Sequence, residues 1–140
     1  MATNPVPTNP SPGSPPPLLT LTIPWAPSAN RIWRKYRGRV VLNPKVQGYR
    51  DAVVAAALEK FGAFPRPLEG RLSIELDLYP PKSKASFDVD NRVKPVLDAI
   101  QHARLVKDDA QFRRVVVTER DRDTSQPKGY IVITIAAWEG

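Results

Sequence analysis

The spacing of apolar residues predicts secondary structure along most of the chain. Residues 72–79 alternate leucine or isoleucine with polar residues until Pro80 ends the run, which is the pattern of a strand with one buried face. Residues 18–23 predict an earlier strand, which Pro24 closes because proline cannot donate a ladder hydrogen bond. The basic residues from 31 to 39 are expected to form a loop between these strands.

Two other stretches carry apolar residues at helical spacing. An Asn-Pro pair suited to a helix start precedes the first of them, so a helix is predicted over about 44–61, ended by Gly62. A second helix is predicted over about 93–103. Pro95 lies early in it, so either its missing N–H falls in the first turn or the helix bends there.

The end of the chain completes the predicted fold. Residues 113–120 and 130–138 are rich in β-branched residues, and the turn formers of 121–129 lie between them, so the two segments are expected to pair as a hairpin. The order β-α-β-α-β-β predicts an α+β fold, a single domain with both helices packed on one face of a mixed β-sheet. Residues 1–17 contain seven of the sixteen prolines and no charge, and are expected to be a disordered Pro-rich leader before a domain spanning 18–140.

The composition fits one domain of ordinary size and excludes several classes of protein. The 140 residues are 41% hydrophobic and 25% charged, which leaves enough apolar surface for a core. Because there is no cysteine, disulfides and thiolate zinc sites are excluded, and a reducing, cytoplasmic location is expected. The single histidine, His102, is expected to be an ordinary residue at a helix end. No apolar run approaches the roughly 20 residues needed to cross a bilayer.

Positive charge is concentrated in one segment. Seven of the 21 basic residues lie between Arg31 and Arg50, where there is no acidic residue, whereas basic and acidic residues balance from Asp51 onward. Trp33 and Tyr36 lie among these cations, a combination typical of surfaces that hold phosphates and offer rings to bases. The segment therefore predicts a polyanion site with salt-dependent affinity. A solvated loop whose aromatic residues pack on the core would give the same pattern.

Acidic residues around the second predicted helix suggest a metal site. Asp88 and Asp90 are two residues apart, so both carboxylates face the same side of an extended segment. Lys94 follows one helical turn later, and Asp108 and Asp109 lie in the loop that returns from the helix. Carboxylates without histidine or cysteine suit Mg²⁺ or Mn²⁺ better than zinc. Helix caps and a solvated turn would use the same residues, so both interpretations stay open on spacing alone.

Four motifs follow one another along the chain. They are residues 21–31 (LTIPWAPSANR), 48–51 (GYRD), 88–94 (DVDNRVK) and 108–111 (DDAQ). In order and spacing they resemble the RusA family of Holliday junction resolvases, and the similarity extends over about residues 18–138. This resemblance implies a Mg²⁺-dependent endonuclease, with Mn²⁺ able to substitute, that acts as a homodimer on four-way DNA junctions in recombination and repair. Such enzymes are often encoded by phages and prophages.

The resemblance also implies roles for individual residues. The catalytic, metal-holding aspartates of the family correspond to Asp88, Asp90 and Asp109, and its essential lysine corresponds to Lys94. Contacts with DNA are expected from Arg31, Arg34, Lys35, Arg37, Arg39 and Asn91.

On this interpretation, the metal would activate a water for attack on the scissile phosphate, and Lys94 would add positive charge at the developing oxyanion or help orient the nucleophile. Asp98 and Asp108 match acidic positions of the family, but neither is expected to be catalytic. The alternative is a non-catalytic module that binds branched or single-stranded DNA, in which the acids are only caps. A third interpretation is an RNA or flap nuclease with the same metal chemistry.

Overall fold

The structure is a computed structural model that describes residues 15–28, 33–63, 65–83 and 89–140. The main elements are β1 (Pro17–Pro24), β2 (Trp33–Tyr36), β3 (Arg39–Leu42), α1 (Pro44–Phe61), β4 (Leu72–Tyr79), α2 (Val93–His102), β5 (Phe112–Glu119) and β6 (Tyr130–Ala137). Two short 3₁₀ turns precede α2 and β5, at Val89–Arg92 and Asp109–Gln111. We call the first of these the acidic turn.

Four strands form one mixed sheet in the order β1-β6-β4-β5. β4 pairs in parallel with β5, whereas the β1–β6 and β4–β6 pairs are antiparallel. With two helices added, this is the α+β fold with a mixed sheet that the sequence predicts. The predicted pairing of the last two strands is wrong, because β4 lies between β5 and β6.

The central place of β4 follows from its residues. Leu72, Ile74, Leu76 and Leu78 are fully buried, so this strand is best placed with a neighbour on each side. The crossover through α2 then returns the chain to the same end of the sheet, which makes β5 parallel to β4. The connection over residues 120–129 is long enough to reach past β4, whereas a tight hairpin would need only two to five residues.

Helix α1 begins and ends at the residues predicted from the sequence. The Asn43 side chain accepts a hydrogen bond from the Lys45 amide at 3.0 Å, and Pro44 occupies the first helical position. At the other end Gly62 adopts a φ of 74°, and its N–H donates to the Leu58 carbonyl at 2.8 Å. The prediction over 44–61 is confirmed.

A loop is predicted over the basic residues 31–39, but its described part, from residue 33 onward, is a two-stranded hairpin. β2 and β3 pair antiparallel, and the turn between them is made by Arg37 and Gly38, with φ values of 51° and 76°. Two consecutive positive φ values are the geometry of the tight turns that join hairpin strands. The side chains of Lys35, Arg37 and Arg39 are exposed on it. We call residues 33–42 the basic hairpin.

The first strand starts at Pro17, one residue before the predicted boundary between leader and domain. The predicted leader otherwise falls almost entirely outside the described residues, because the description begins at residue 15. Among the helices of the described ranges, none is both long and apolar enough to cross a membrane.

Candidate active site

The acidic turn leads directly into α2. Asp90 is exposed on this turn and Asn91 is half-buried, while Asp88 lies outside the described residues. Pro95 is the third residue of α2 and is buried. An amide at that position has no intrahelical acceptor, so proline removes no hydrogen bond there. Helix α2 can therefore begin at Val93 despite the proline, and Lys94 lies in its first turn, as the sequence predicts.

Lys94 is the centre of a small charged network. Its Nζ lies 3.0 Å from the Asp98 carboxylate, one turn further along α2, and 3.7 Å from the Asp109 carboxylate. Arg50 of α1 reaches the second oxygen of Asp98 at 4.0 Å. Both carboxylates are mostly buried, whereas the Lys94 side chain is 61% exposed. The lysine is thus held by its neighbours while its ammonium remains accessible from solvent.

The electrostatic surroundings keep Lys94 protonated. The hydrogen bond that Lys94 donates to the Asp98 carboxylate is the largest cause that raises the pKa of Lys94, and the charge of Asp109 adds to it. A raised pKa means that the ammonium form persists to a higher pH than for a free lysine. At neutral pH this side chain is therefore a fixed positive charge next to Asp109.

Asp108 and Asp109 have different surroundings. Asp108 caps the short turn before β5, because its carboxylate accepts from the Ala110 amide at 2.8 Å and Gln111 bonds back to the Asp108 amide at 2.9 Å. The Asp109 amide donates to the Gln101 side chain at 3.0 Å, so α2 fixes its backbone. Asp109 thereby keeps its carboxylate for the network around Lys94, whereas Asp108 is a cap.

Gln111 also fixes this loop to the rest of the domain. Its side-chain amide donates to the carbonyls of Leu68 and Gly70, both at 3.0 Å. These carbonyls precede β4, so the loop that carries Asp109 is fastened to the entrance of the central strand. In the DDAQ motif, Asp109 therefore belongs to the network around Lys94, Asp108 caps the turn, and Gln111 anchors the loop.

Arg92 is a functional candidate that the sequence analysis missed. It ends the acidic turn and is 94% buried, since its relative exposure is 6%. Its guanidinium donates to the Ala26 carbonyl at 2.8 Å and lies 5.3 Å from the centre of the Trp25 ring. Burial lowers the pKa of Arg92, and the buried Nε has no hydrogen-bond partner among the described residues. The only signal in the sequence was that its two contacts, Ala26 and Trp25, belong to the LTIPWAPSANR motif.

Tyr49 makes a similar contact at the last residue of β1. Its buried hydroxyl donates to the Pro24 carbonyl at 2.8 Å, and burial raises the pKa of the phenol. The GYRD motif thus has two structural roles. Tyr49 bonds to the end of β1, and Arg50 pairs with Asp98. All four motifs identified in the sequence are thus joined by specific contacts.

The predicted site residues are only partly assembled among the described residues. Lys94 and Asp109 are brought together, and Asp90 lies on the turn that opens the same helix. Within these ranges, no three acidic or histidine side chains form a cluster that could hold a metal ion. Of the predicted DNA contacts, Arg31 and the side chain of Arg34 lie outside the description. His102 ends α2 and is exposed, as predicted.

Comparison with known proteins assigns the class of the protein. A family model described as Endodeoxyribonuclease RusA matches residues 24–135. Crossover junction endodeoxyribonuclease RusA of Escherichia coli (strain K12) is 35% identical over 92 residues, 66% of this chain and 74% of the relative. The protein of that name from Enterobacteria phage 82 is 35% identical over 91 residues, 65% and 73% of the two chains.

A further relative, Crossover junction endodeoxyribonuclease RusA of Shigella sonnei (strain Ss046), is 34% identical over 92 residues, again 66% of this chain and 74% of the relative. The matched family residues include all four motifs except the first three residues of the first one. The chain therefore belongs to the RusA family of endodeoxyribonucleases. Membership of this family confirms the enzyme class that the sequence predicts.

Proposed function

We propose that this protein is a Mg²⁺-dependent endonuclease that resolves four-way DNA junctions by paired, symmetric cuts. The observation that carries the proposal is the contact of Lys94 with Asp109, which joins the DVDNRVK motif to the DDAQ motif. A lysine held beside a carboxylate, on a helix that follows a turn with an exposed aspartate, is the arrangement expected for cleavage of a phosphodiester. The names of the relatives support junction DNA as the substrate.

The donor chemistry fits Mg²⁺. Asp90 and Asp109 supply carboxylate oxygens, and the chain has no cysteine that could favour zinc. Asp88, which lies outside the described residues, is proposed as the third ligand. The ion would activate a water and neutralise charge at the scissile phosphate. Mn²⁺ has the same preference for oxygen donors and is expected to substitute.

The described side chains have separate tasks in this mechanism. Lys94 places a positive charge where the attacked phosphate gains negative charge, and Asp98 holds the ammonium in position. Arg92 fixes the turn that carries Asp90 against the end of β1. Gln101 fixes the backbone of Asp109. Each of these positions a charge before the substrate arrives, so no reorganisation is needed during the reaction.

Two further features of the proposal concern DNA and assembly. The exposed cations of the basic hairpin are proposed to contact backbone phosphates, which every DNA presents, and they would supply affinity more than sequence selectivity. Asn91, half-buried on the acidic turn, is proposed to contact DNA beside the cleavage site. A homodimer is proposed because two symmetric cuts require two active sites related by a two-fold axis.

The test is cleavage of an end-labelled synthetic four-way junction, with and without Mg²⁺, with linear duplex of the same sequence as the control. We expect cuts in two opposing strands only in the presence of the metal, and little cutting of the duplex. Tight binding of the junction without cleavage at any metal concentration would instead support the non-catalytic DNA-binding module. Preferred cleavage of a flap or of RNA would indicate the third interpretation.

A further inference from the structure

A groove lies at the end of the sheet where β1 and β4 finish. Its volume is about 680 Å³, within the range of roughly 300–1,000 Å³ typical of small-ligand sites. The described residues that line it are Trp25, Pro81, Lys82, Ser83, Pro127 and Lys128. None of the residues assigned above to the metal or to DNA is among them.

Backbone contacts fix the two loops that form the groove. The Lys82 amide donates to the Pro127 carbonyl at 2.8 Å, and the Arg122 guanidinium donates to the Lys82 carbonyl at 3.3 Å. Gly129 packs against the end of β4 so closely that a Cβ there would lie 2.6 Å from the Pro81 nitrogen. The groove is therefore a built feature of the fold, with its two lysines on loops that are fastened together.

The charge of the groove favours an anion. Lys82 and Lys128 are exposed, and neither forms an ion pair with a described residue. The nearest acid along the second loop, Asp123, accepts hydrogen bonds from Ser125 and from the Tyr130 hydroxyl. Its carboxylate is thus directed to its own turn, and the exposed Arg122 beside Lys82 adds further positive charge.

The groove is close to the proposed active site. Trp25 contributes to its lining and also contacts the guanidinium of Arg92, two residues after Asp90. The basic hairpin joins α1 at Pro44, and Tyr49 ties the same part of α1 to the exit of β1. The start of α1, the acidic turn and the groove therefore lie around one end of the sheet.

We propose that this groove binds one nucleotide of the DNA strand next to the cleavage site, with its phosphate between Lys82 and Lys128 and its base against Trp25. The proposal rests on the proposed function and adds a second contact region to the basic hairpin. Lysine is a suitable partner for phosphate, and an aromatic ring accepts any base because every base has a π-face. The site would increase the affinity for DNA and fix the direction of the bound strand, and it would not select a base sequence.

The first test is equilibrium binding of a fluorescent four-way junction in EDTA, which prevents metal-dependent cleavage, at several salt concentrations. The double variant Lys82→Ala/Lys128→Ala is compared with the parent. Loss of two phosphate contacts reduces the slope of log affinity against log salt by about 1.8, and weakens binding about 30-fold at 0.15 M salt. The charge-preserving variant Lys82→Arg/Lys128→Arg is expected to bind like the parent.

A matched control removes the same charge elsewhere. Lys60 lies in the last turn of α1, and Arg66 lies beyond the end of that helix. Both are exposed and away from the groove residues. The variant Lys60→Ala/Arg66→Ala is expected to keep the salt slope of the parent. Equal losses of junction affinity in both double variants would overturn the nucleotide site in the groove, since the change in net charge alone would then explain the losses. Thermal melting of each variant confirms that it is folded at the assay temperature.

A second test addresses the base contact. In a Trp33→Phe/Trp138→Phe background, Trp25 is the only tryptophan, and saturation with the junction is expected to quench its fluorescence. Unchanged fluorescence at saturation would overturn the contact between base and ring. If the parent cuts junctions while Lys82→Ala/Lys128→Ala binds them like Lys60→Ala/Arg66→Ala, the nucleotide site in the groove is refuted and the proposed function stands. A parent that binds junctions without cutting them refutes the proposed function, and the binding data still decide the groove.

Discussion

Replacing Arg92 by alanine tests whether the buried guanidinium holds the acidic turn in place. The change removes a charged hydrogen bond to the Ala26 carbonyl, of about 1.5–3 kcal/mol, and a cation–π contact with Trp25, of about 0.5–2 kcal/mol. Removing a buried charge whose Nε has no hydrogen-bond partner among the described residues offsets part of this loss. We expect the free energy of unfolding to fall by about 2–4 kcal/mol.

Thermal denaturation and junction cleavage together measure the effect. At about 4 °C per kcal/mol for a domain of this size, the expected fall in Tm is roughly 8–16 °C. Below that Tm, the cleavage rate of Arg92→Ala should fall by a larger factor than its affinity for junction DNA, because the displaced turn carries Asp90. Arg92→Lys should recover part of the rate, since a lysine can still donate to the carbonyl of Ala26.

Arg66→Ala is the matched control, because this arginine is exposed. Its stability should remain within about 0.5 kcal/mol of the parent. The reasoning is refuted if Arg92→Ala is equally harmless, since the guanidinium contacts would then contribute nothing. A stability loss without any change in the cleavage rate of the folded variant would restrict Arg92 to a structural role.

Three other outcomes follow from the structure. Lys94→Ala should lose cleavage rate by a larger factor than junction affinity in single-turnover assays, and arginine should not fully rescue it, because its guanidinium is larger and differently shaped. Replacing the three exposed cations of the basic hairpin by glutamine should weaken junction and duplex binding alike and flatten the salt slope by about 0.9 per lost contact; an unchanged slope would place DNA elsewhere. Gly129→Ala should lower Tm more than Gly70→Ala in parallel melts, because both have positive φ but only Gly129 lacks space for a Cβ.

Local patterns predicted local structure well. The limits of α1 follow from an N-cap, a proline and a C-terminal glycine, and all three signals act within a few residues of the helix ends. The pattern of 72–79 likewise predicts β4, because one face of that strand is fully buried. These predictions needed no knowledge of the tertiary structure.

The predictions that failed depended on long-range contacts. β5 and β6 both have strand-forming residues, but nothing in either segment indicates that β4 will lie between them. The basic segment reads as a loop because its cations hide the strand pattern of β2 and β3, and the turn at Arg37 uses a positive φ that arginine seldom adopts. Pairing order is set by packing of the whole sheet.

The candidate site was predicted in part for the same reason. Lys94 and Asp109 were expected near each other from the motifs, and the structure places them 3.7 Å apart. The alternative for Asp108 was a solvated turn, and the structure shows this exposed residue as the cap of that turn, because its carboxylate accepts from the Ala110 amide. Arg92 was missed, because an arginine in a polar motif gives no sign that it will be buried against Trp25.

The proposal that carboxylates hold the metal can be tested most directly by Asp90→Asn, which keeps the shape of the side chain and removes one negative charge. The matched control is Asp108→Asn, because asparagine caps a turn as well as aspartate does and the change removes the same charge beside Asp109. Both variants are assayed for Mg²⁺-dependent cleavage of the labelled four-way junction and for junction binding in EDTA.

The account predicts that Asp90→Asn abolishes cutting while junction binding stays intact or becomes tighter, since one carboxylate no longer repels phosphate. Asp108→Asn should cut at a rate close to that of the parent. A near-normal cleavage rate for Asp90→Asn would contradict the account, because Asp90 would then not be a metal ligand.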